Sequence, residues 1–236
     1  MDESDYERAR RFHEESLAIK RDLQVRQGIA VALGNLGLVA FKEGTYEAAR
    51  RLQEESLAIK REFGDVRGIS ITVGNLGGVL FEQGDYAGAR SLLTESLSLK
   101  RELGDKWGVA VILRNLGEVA LREGNVAAVR ELFAQCLEIR RTLGDQWSIA
   151  DSLEAYAALA SVESRPLDAA RLWGAAEALR EAIGALLPAG ERRRHEQDVT
   201  AARSQSDDAS FAAAWAEGRA LSPAQAVALA QDMRRE

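Results

Sequence analysis

The chain repeats itself every 40 residues, and this period constrains the fold more than any other feature. Tyr6, Tyr46 and Tyr86 are spaced 40 apart, and the segment EESLAIK occurs at 14–20 and again at 54–60. A fixed period of this length is typical of repeat architectures built from one supersecondary unit. The period divides the chain into the units 5–44, 45–84, 85–124 and 125–164, followed by a degenerate unit at 165–187.

Each unit has the pattern of two helices joined by a short turn. In the second unit, Thr45 is a residue type that caps helices, and apolar or small residues recur at helical spacing over 46–63. Gly64 ends this predicted helix, because glycine adopts the left-handed conformation at low cost. A second helix is predicted over 66–83, and Gly84 closes it. Such short turns join antiparallel helices, so the sequence predicts an all-α fold, a right-handed α-solenoid of stacked helix pairs.

A finer pattern accompanies the period. In one copy Leu36-Gly37 is followed by Gly44, Tyr46 and Ala49, and the next copy repeats the pattern 40 residues later. This pattern resembles the tetratricopeptide repeat, in the long-helix form found in Pins-like and kinesin-light-chain-like scaffolds and in bacterial regulators. The common repeat has about 34 residues, so these units are longer by about six. The resemblance covers residues 5–184 and implies a superhelix that binds proteins or peptides without catalysis.

Asparagines occupy one position in three consecutive units, namely Asn35, Asn75 and Asn115. The resemblance implies that their helix forms the concave surface, where peptide-binding members hold an extended peptide backbone. An amide carries both donors and an acceptor, so it can pair with a peptide group. We therefore predict a concave peptide-binding groove. The flanking residues assigned to this groove are Arg114, Lys42, Arg122, Leu38, Gly78 and Glu118.

The flanking residues suggest how such a groove would select its ligand. Lys42, Arg114 and Arg122 are expected to meet acidic groups, and Gly74 and Gly78 to leave floor space for a ligand side chain. The alternative is that each asparagine bonds the backbone of the next repeat and stabilises the stacking. Lys-Arg pairs that recur near the helix ends, as at 60–61, are interpreted as complements of the helix dipole.

The composition argues against catalysis, metal binding and nucleic-acid binding. The chain has one cysteine and two distant histidines, so neither a multi-residue metal site nor a Ser-His-Asp set is predicted, and no cofactor motif occurs. The histidines, His13 and His195, are expected to be exposed. Cys136 stands where earlier units have serine, which predicts a buried structural thiol. With 31 basic and 37 acidic residues the net charge is −6, unlike the basic footprint of nucleic-acid binders.

Neither a signal peptide nor an apolar stretch long enough to cross a membrane is recognisable, so we expect no membrane partner and a cytoplasmic location. Residues 5–23 match the second helix of a repeat whose first helix is missing. Their apolar side is therefore expected to be open and to offer a face for self-association. Pro188 and Gly190 interrupt the helical pattern. We expect a repeat array over 1–187 and a C-terminal helical cap over 188–236.

The runs at 172–188 and 211–230 give a second resemblance, to the extreme C-terminus of large bacterial LuxR-type and related NTPase transcriptional regulators. This resemblance implies the sensor or interaction arm of a bacterial regulatory system. The chain contains no G-x-x-x-x-G-K-[ST] loop, so the nucleotide-hydrolysing part is not implied. Two alternatives remain open, a small-molecule-sensing repeat module and a structural oligomerisation module.

Overall fold

Turn residues in the left-handed conformation recur every 20 residues and set the length of the helices. The structure is a computed structural model that describes residues 3–185, 187 and 189–233. Glycine tolerates a positive φ because it lacks a Cβ, and seven of the nine positions in this series are glycine. With φ between 54° and 81°, the series consists of Gln24, Gly44, Gly64, Gly84, Gly104, Gly124, Gly144, Ser164 and Gly184.

The helices between these turns have nearly uniform length, and α2 to α6 have 17 residues each. The predicted helices at 46–63 and 66–83 are confirmed to within one residue. In chain order the helices are α1 (Glu3–Asp22), α2 (Arg26–Lys42), α3 (Tyr46–Glu62), α4 (Val66–Glu82), α5 (Tyr86–Glu102), α6 (Lys106–Arg122), α7 (Val126–Leu143), α8 (Gln146–Val162), α9 (Pro166–Ala182), α10 (Ala189–Arg203), α11 (Asp208–Arg219) and α12 (Pro223–Asp232).

Side chains cap most of these helices at their N-termini. Asp85 and Asn125 accept hydrogen bonds from the backbone N–H groups of Gly88 and Ala128, as a cap residue does. The expectation for Thr45 is wrong in its chemistry. Its hydroxyl makes no cap bond and instead donates to the carbonyl oxygen of Ala40, at 2.9 Å, in the helix that has just ended.

The chain forms two compact units, 1–119 and 120–236. In the first unit, α2 packs on α3 and α4 packs on α5. Leu33 of α2 and Ile59 of α3 belong to one buried apolar cluster. Serine hydroxyls at equivalent positions form hydrogen bonds between helices. Ser56 donates to the carbonyl oxygen of Ala30 at 2.7 Å, and Ser96 donates to that of Ser70 at the same distance.

In the second unit, α8 packs on α9, and α10, α11 and α12 contact this pair. Trp173 and Phe211 lie in its apolar core. Helix α11 approaches α9 closely, because the glycine at 218 faces the carbonyl oxygen of Arg171 without an intervening side chain. The division into an array and a cap at residues 187 and 188 remains a prediction, and Pro188 lies outside the described residues.

The predicted all-α solenoid of helix pairs is confirmed. Of the residues that the structure describes, 84% lie in helices and none lies in a strand. Cys136 is buried, as expected. The expectation that His13 and His195 are exposed is wrong, because both are half-buried. The rings of His195 and Trp173 are in edge contact, with 5.9 Å between their centres. No helix in the described ranges has the length and hydropathy to cross a membrane.

The turn series predicts that Ser164→Gly stabilises the protein. Ser164 holds φ at 59° where the equivalent residues are mostly glycine, and an L side chain in that conformation costs about 1 kcal/mol. We expect the free energy of unfolding, measured by urea titration, to rise by about this amount. The matched change Gly144→Ser should lower it by a similar amount, since open space surrounds a Cβ there and only the conformation matters. Equal stabilities of all three proteins would contradict this account of the turns.

Candidate functional site

Three asparagine side chains mark one face of the first unit. Asn35 lies on α2, Asn75 on α4 and Asn115 on α6, at equivalent positions, and each is half-buried. None of them makes a hydrogen bond to any other described residue. The alternative requires a hydrogen bond from each asparagine to the next repeat, and the described part of the chain contains none. We call the surface of α2, α4 and α6 that carries these three residues the asparagine face.

Apolar side chains flank the amides on this face. Val31 and Leu38 lie one turn before and one turn after Asn35 on α2 and are 51% and 41% exposed. Ile71 holds the position of Val31 on α4 and is 45% exposed. The asparagine face therefore offers hydrogen-bonding groups between open hydrophobic surfaces, a combination typical of ligand-binding clefts.

The two glycines expected to form the groove floor behave differently. A Cβ at Gly78 would meet no atom within 4 Å, so this position is open. The expectation for Gly74 is wrong, because it is buried, and a Cβ there would lie 3.0 Å from both Ser96 Oγ and Ile112 Cδ1. Gly74 lets neighbouring helices approach, whereas Gly78 leaves space on the asparagine face.

The charged residues assigned to the groove are placed in different surroundings. Arg114 forms an ion pair with Glu118 one turn along α6, at 3.0 Å, so part of its charge is compensated within the helix. Lys42 is exposed, and its Nζ lies 5.9 Å from the centre of the Phe41 ring. Arg122 is exposed in the last turn of α6, in the second compact unit. Of the two cations that lie in the first unit, Lys42 is thus more accessible than Arg114.

A series of cations, two of them buried and one half-buried, escaped the sequence analysis. Lys60, Lys100 and Arg140 lie in the last turns of α3, α5 and α7. Each reaches beyond its own helix: the Nζ of Lys100 meets Asp105 at 3.1 Å, and Nη1 of Arg140 meets Asp151 at 2.6 Å. Their 40-residue spacing was visible, but the partner of each depends on the following helix, so the dipole interpretation missed these contacts.

Lys60 differs from the other two cations because no carboxylate of a described residue is in ion-pair contact with it, although Asp65 lines the same cleft. Its Nζ donates to Thr72 Oγ1 at 2.7 Å and forms no ion pair with any described residue. Burial lowers the pKa of Lys60 below its ordinary value, and the charge of Asp65 opposes this effect. Lys60 lines a cleft of about 380 Å³ together with Val31 and Phe63. Val31 also belongs to the asparagine face, so the two features adjoin on α2.

Comparison with known families identifies the repeat. The family model described as tetratricopeptide repeat matches the chain at residues 1–62, 28–102 and 68–142. Together these matches cover more than half of the 236 residues. The chain belongs to the tetratricopeptide repeat family. No curated protein matches the chain significantly.

Solved structures share the tetratricopeptide repeat fold of this chain. A crystal structure of BtubC (BKLC) from P. vanneervenii superposes with a TM-score of 0.63 and 18% identity, covering 92% of this chain and 94% of that protein. A second crystal structure is that of the nearly identical TPR-like repeats of a putative kinesin light chain from Podosopora anserina. It superposes with a TM-score of 0.51 and 14% identity, covering 85% of this chain and 86% of that protein. These identities establish a shared fold and nothing more specific.

Tetratricopeptide repeat proteins are typically non-catalytic scaffolds for protein interaction. Within the described residues no group of three or more His, Cys, Asp or Glu side chains is arranged to hold a metal ion. Two features of the first unit offer polar groups to a ligand, namely the asparagine face and the adjoining Lys60 cleft.

The contrast between two of the cations predicts opposite effects on stability. Lys60→Met removes a half-buried charge that forms no ion pair with a described residue, so the variant should be at least as stable as wild type. The gain should not exceed about 1 kcal/mol, because solvent screens part of this charge. Arg140→Met removes the cation from the buried carboxylate of Asp151 and should cost about 3 kcal/mol. Chemical denaturation at pH 7 measures both.

The pH dependence provides a control for this prediction. The pKa of Lys60 is lower in the folded than in the unfolded protein, so the unfolded state binds more protons between the two values. The free-energy penalty of burying the charged Lys60 side chain is fully present below its folded-state pKa. It disappears as pH rises above its pKa in the unfolded protein. Any advantage of Lys60→Met should therefore shrink at alkaline pH. A Lys60→Met variant much less stable than wild type at pH 7 would contradict this interpretation.

Proposed function

We propose that this protein is a non-catalytic scaffold that binds an extended segment of another protein along the asparagine face. The observation that carries the proposal is the set of three half-buried amides, 40 residues apart, that make no hydrogen bond within the described chain. Polar groups held on a surface without internal partners are available to a ligand. An extended peptide offers a donor and an acceptor at every residue, which matches the amide of Asn35, Asn75 and Asn115.

The helices supply preorganisation. Each asparagine lies between buried neighbours on a rigid helix, for example Leu33 and Leu36 beside Asn35. Ordering costs at an interface fall when the binding groups are already in place. Open apolar side chains such as Val31 and Leu38 would bury surface against the ligand, and the space above Gly78 would admit a ligand side chain. Recognition would thus combine amide hydrogen bonds with apolar contact.

We place this scaffold in a bacterial regulatory system, as its sensor or interaction arm. The support is the resemblance of the runs 172–188 and 211–230 to the C-terminus of LuxR-type regulators. The small-molecule-sensing alternative would need an enclosed pocket, whereas the asparagine face consists of half-buried and exposed positions on three helices. The protein-segment reading therefore has the stronger support.

The triple change Asn35→Ala, Asn75→Ala, Asn115→Ala should strongly weaken ligand binding while leaving the fold intact. The probe is a displayed library of random dodecamer peptides, enriched on the wild-type protein. Three lost hydrogen bonds of about 1 kcal/mol each correspond to a roughly 100-fold loss of affinity. Fluorescence polarisation with the enriched peptides measures this loss, and circular dichroism melting checks the fold.

The matched control is Arg11→Ala, Arg51→Ala, Ser91→Ala. These three residues are exposed at the same 40-residue spacing but lie on α1, α3 and α5. The control variant should bind the peptides as wild type does. If the asparagine variant binds equally well, the ligand lies elsewhere. If it melts far below wild type, the asparagines are structural, and the proposal is wrong.

A second function, self-association through α1, is favoured by a separate observation. Phe12 and Ile19 of α1 are each 59% exposed. One repeat later, Ile59 holds the position of Ile19 and is only 8% exposed, because it packs with Leu33 of α2. The open side of α1 is thus the kind of surface that a helix covers elsewhere in the first unit, and a second copy of the chain supplies such a helix.

Phe12→Glu combined with Ile19→Glu should convert a dimer into a monomer. Light scattering coupled to size-exclusion chromatography measures the mass of wild type and variant at matched concentrations. The control His13→Glu changes an adjacent, half-buried position of the same helix. A monomeric wild-type protein at all concentrations would exclude this second function without affecting the peptide proposal.

A further inference from the structure

Gly78 of the asparagine face is a glycine that helix stability does not explain. It lies inside α4, and glycine is, after proline, the residue least favourable to a helix interior. The φ of Gly78 is not positive, so its backbone conformation does not require glycine. The equivalent positions of α2 and α6 hold Leu38 and Glu118, so the repeat does not require glycine there either.

Close packing does not require this glycine. Its neighbour Gly77 is buried, and a Cβ there would lie 2.7 Å from Leu93 Cγ, which is too close for a real side chain. At Gly78, by contrast, a Cβ would meet no atom within 4 Å. Gly78 therefore lowers the stability of α4 without a packing contact in return. Positions that break a local rule in this way are expected at functional sites.

We propose that Gly78 determines the specificity of the asparagine face, because it leaves room for one large apolar side chain of the bound protein segment. This inference rests on the proposed function, since the side chain belongs to the segment that the asparagines hold. Asn75 lies one turn before Gly78 on α4. A segment whose backbone pairs with this amide can therefore place a neighbouring side chain above the glycine.

Apolar side chains border the space that Gly78 leaves. Side chains on a helix lean towards its N-terminus, so this space extends towards Asn75 and, one turn further, towards Ile71. Ile71 is 45% exposed. Leu38, at the equivalent position of α2, is 41% exposed, and α2 contacts α4. A large apolar ligand group would bury these two side chains together with itself, which is favourable in water.

The charged side chains that flank this position form contacts within the chain. Arg114 pairs with Glu118 on α6 at 3.0 Å. Glu82, one turn after Gly78 on α4, accepts a hydrogen bond from the Tyr46 hydroxyl at 3.5 Å. A charged ligand group would lose hydration here and meet charges that already have partners. The ligand group that fits is therefore a large aliphatic or aromatic side chain.

The test uses the full chain and peptides enriched on it from a displayed library of random dodecamers. These peptides should share one large apolar residue. Replacing that residue by alanine should weaken binding about tenfold or more, as expected when the burial of a large side chain is lost. Gly78→Leu fills the space, so it should weaken the parent peptide by a similar factor and leave the affinity of the alanine peptide unchanged.

Ala58→Leu is the matched control, because it adds bulk at an exposed position of α3, which is not part of the asparagine face. It should bind both peptides as wild type does. Gly78→Ala gives a measurement without ligand. It should raise the melting temperature followed by circular dichroism, because alanine favours the helix and the space admits its Cβ. A lower melting temperature would show that Gly78 serves packing and would overturn this inference.

Circular dichroism melting also establishes that Gly78→Leu folds. Peptides whose binding needs the asparagines but tolerates Gly78→Leu, or that share no large apolar residue, would overturn this inference and leave the scaffold proposal standing. Failure to enrich any asparagine-dependent peptide would overturn both.

Discussion

The left-handed turn residue at every twentieth position is the constraint on which the rest of the structure depends. An α-helix turns by about 100° per residue, so adding one residue between two turns would rotate a whole helix face away from its neighbour. The fixed interval keeps each face in register. Ser56 and Ser96 therefore meet the same kind of backbone carbonyl, and Asn35, Asn75 and Asn115 occupy equivalent positions.

The same register distributes buried charge through the repeats. A cation in the last turn of α3, α5 or α7 points at the start of the next helix, and the residues found there decide its energetic role. Where a carboxylate lies within reach, as Asp105 and Asp151 do, the cation forms an ion pair within the chain. Lys60 instead donates to the hydroxyl of Thr72, while Asp65, at the repeat position of Asp105, accepts from the backbone N–H of Gly68 and forms no ion pair with Lys60. Burying a charge without an ion-pair partner is unfavourable to folding, and the half-buried Lys60 carries part of this cost.

The sequence predicted the helices well because the signals that define them are local. Glycine at a turn and apolar residues at helical spacing determine where α3 and α4 begin and end, and the structure agrees with both to within one residue. The environment of single side chains was harder to predict. Gly74 and Gly78 are the same residue type one turn apart, yet one is packed against Ser96 and Ile112 and the other is open. That difference arises from neighbouring helices, which no local pattern encodes.

The candidate site shows the same division between local and tertiary information. The asparagine series was visible in the sequence because it follows the period, although only the structure shows that these amides make no bond within the described chain. The different contacts of Lys60 were hidden, because Asp65 is present at the position of Asp105 and only the structure shows that it forms no ion pair with Lys60. Lysine recurs at positions 20, 60 and 100, and only the contacts distinguish a compensated cation from an available one. Equivalent residues of a repeat protein can therefore differ in their ion pairs although the sequence around them is nearly the same, because each contact depends on the side chains of the following helix.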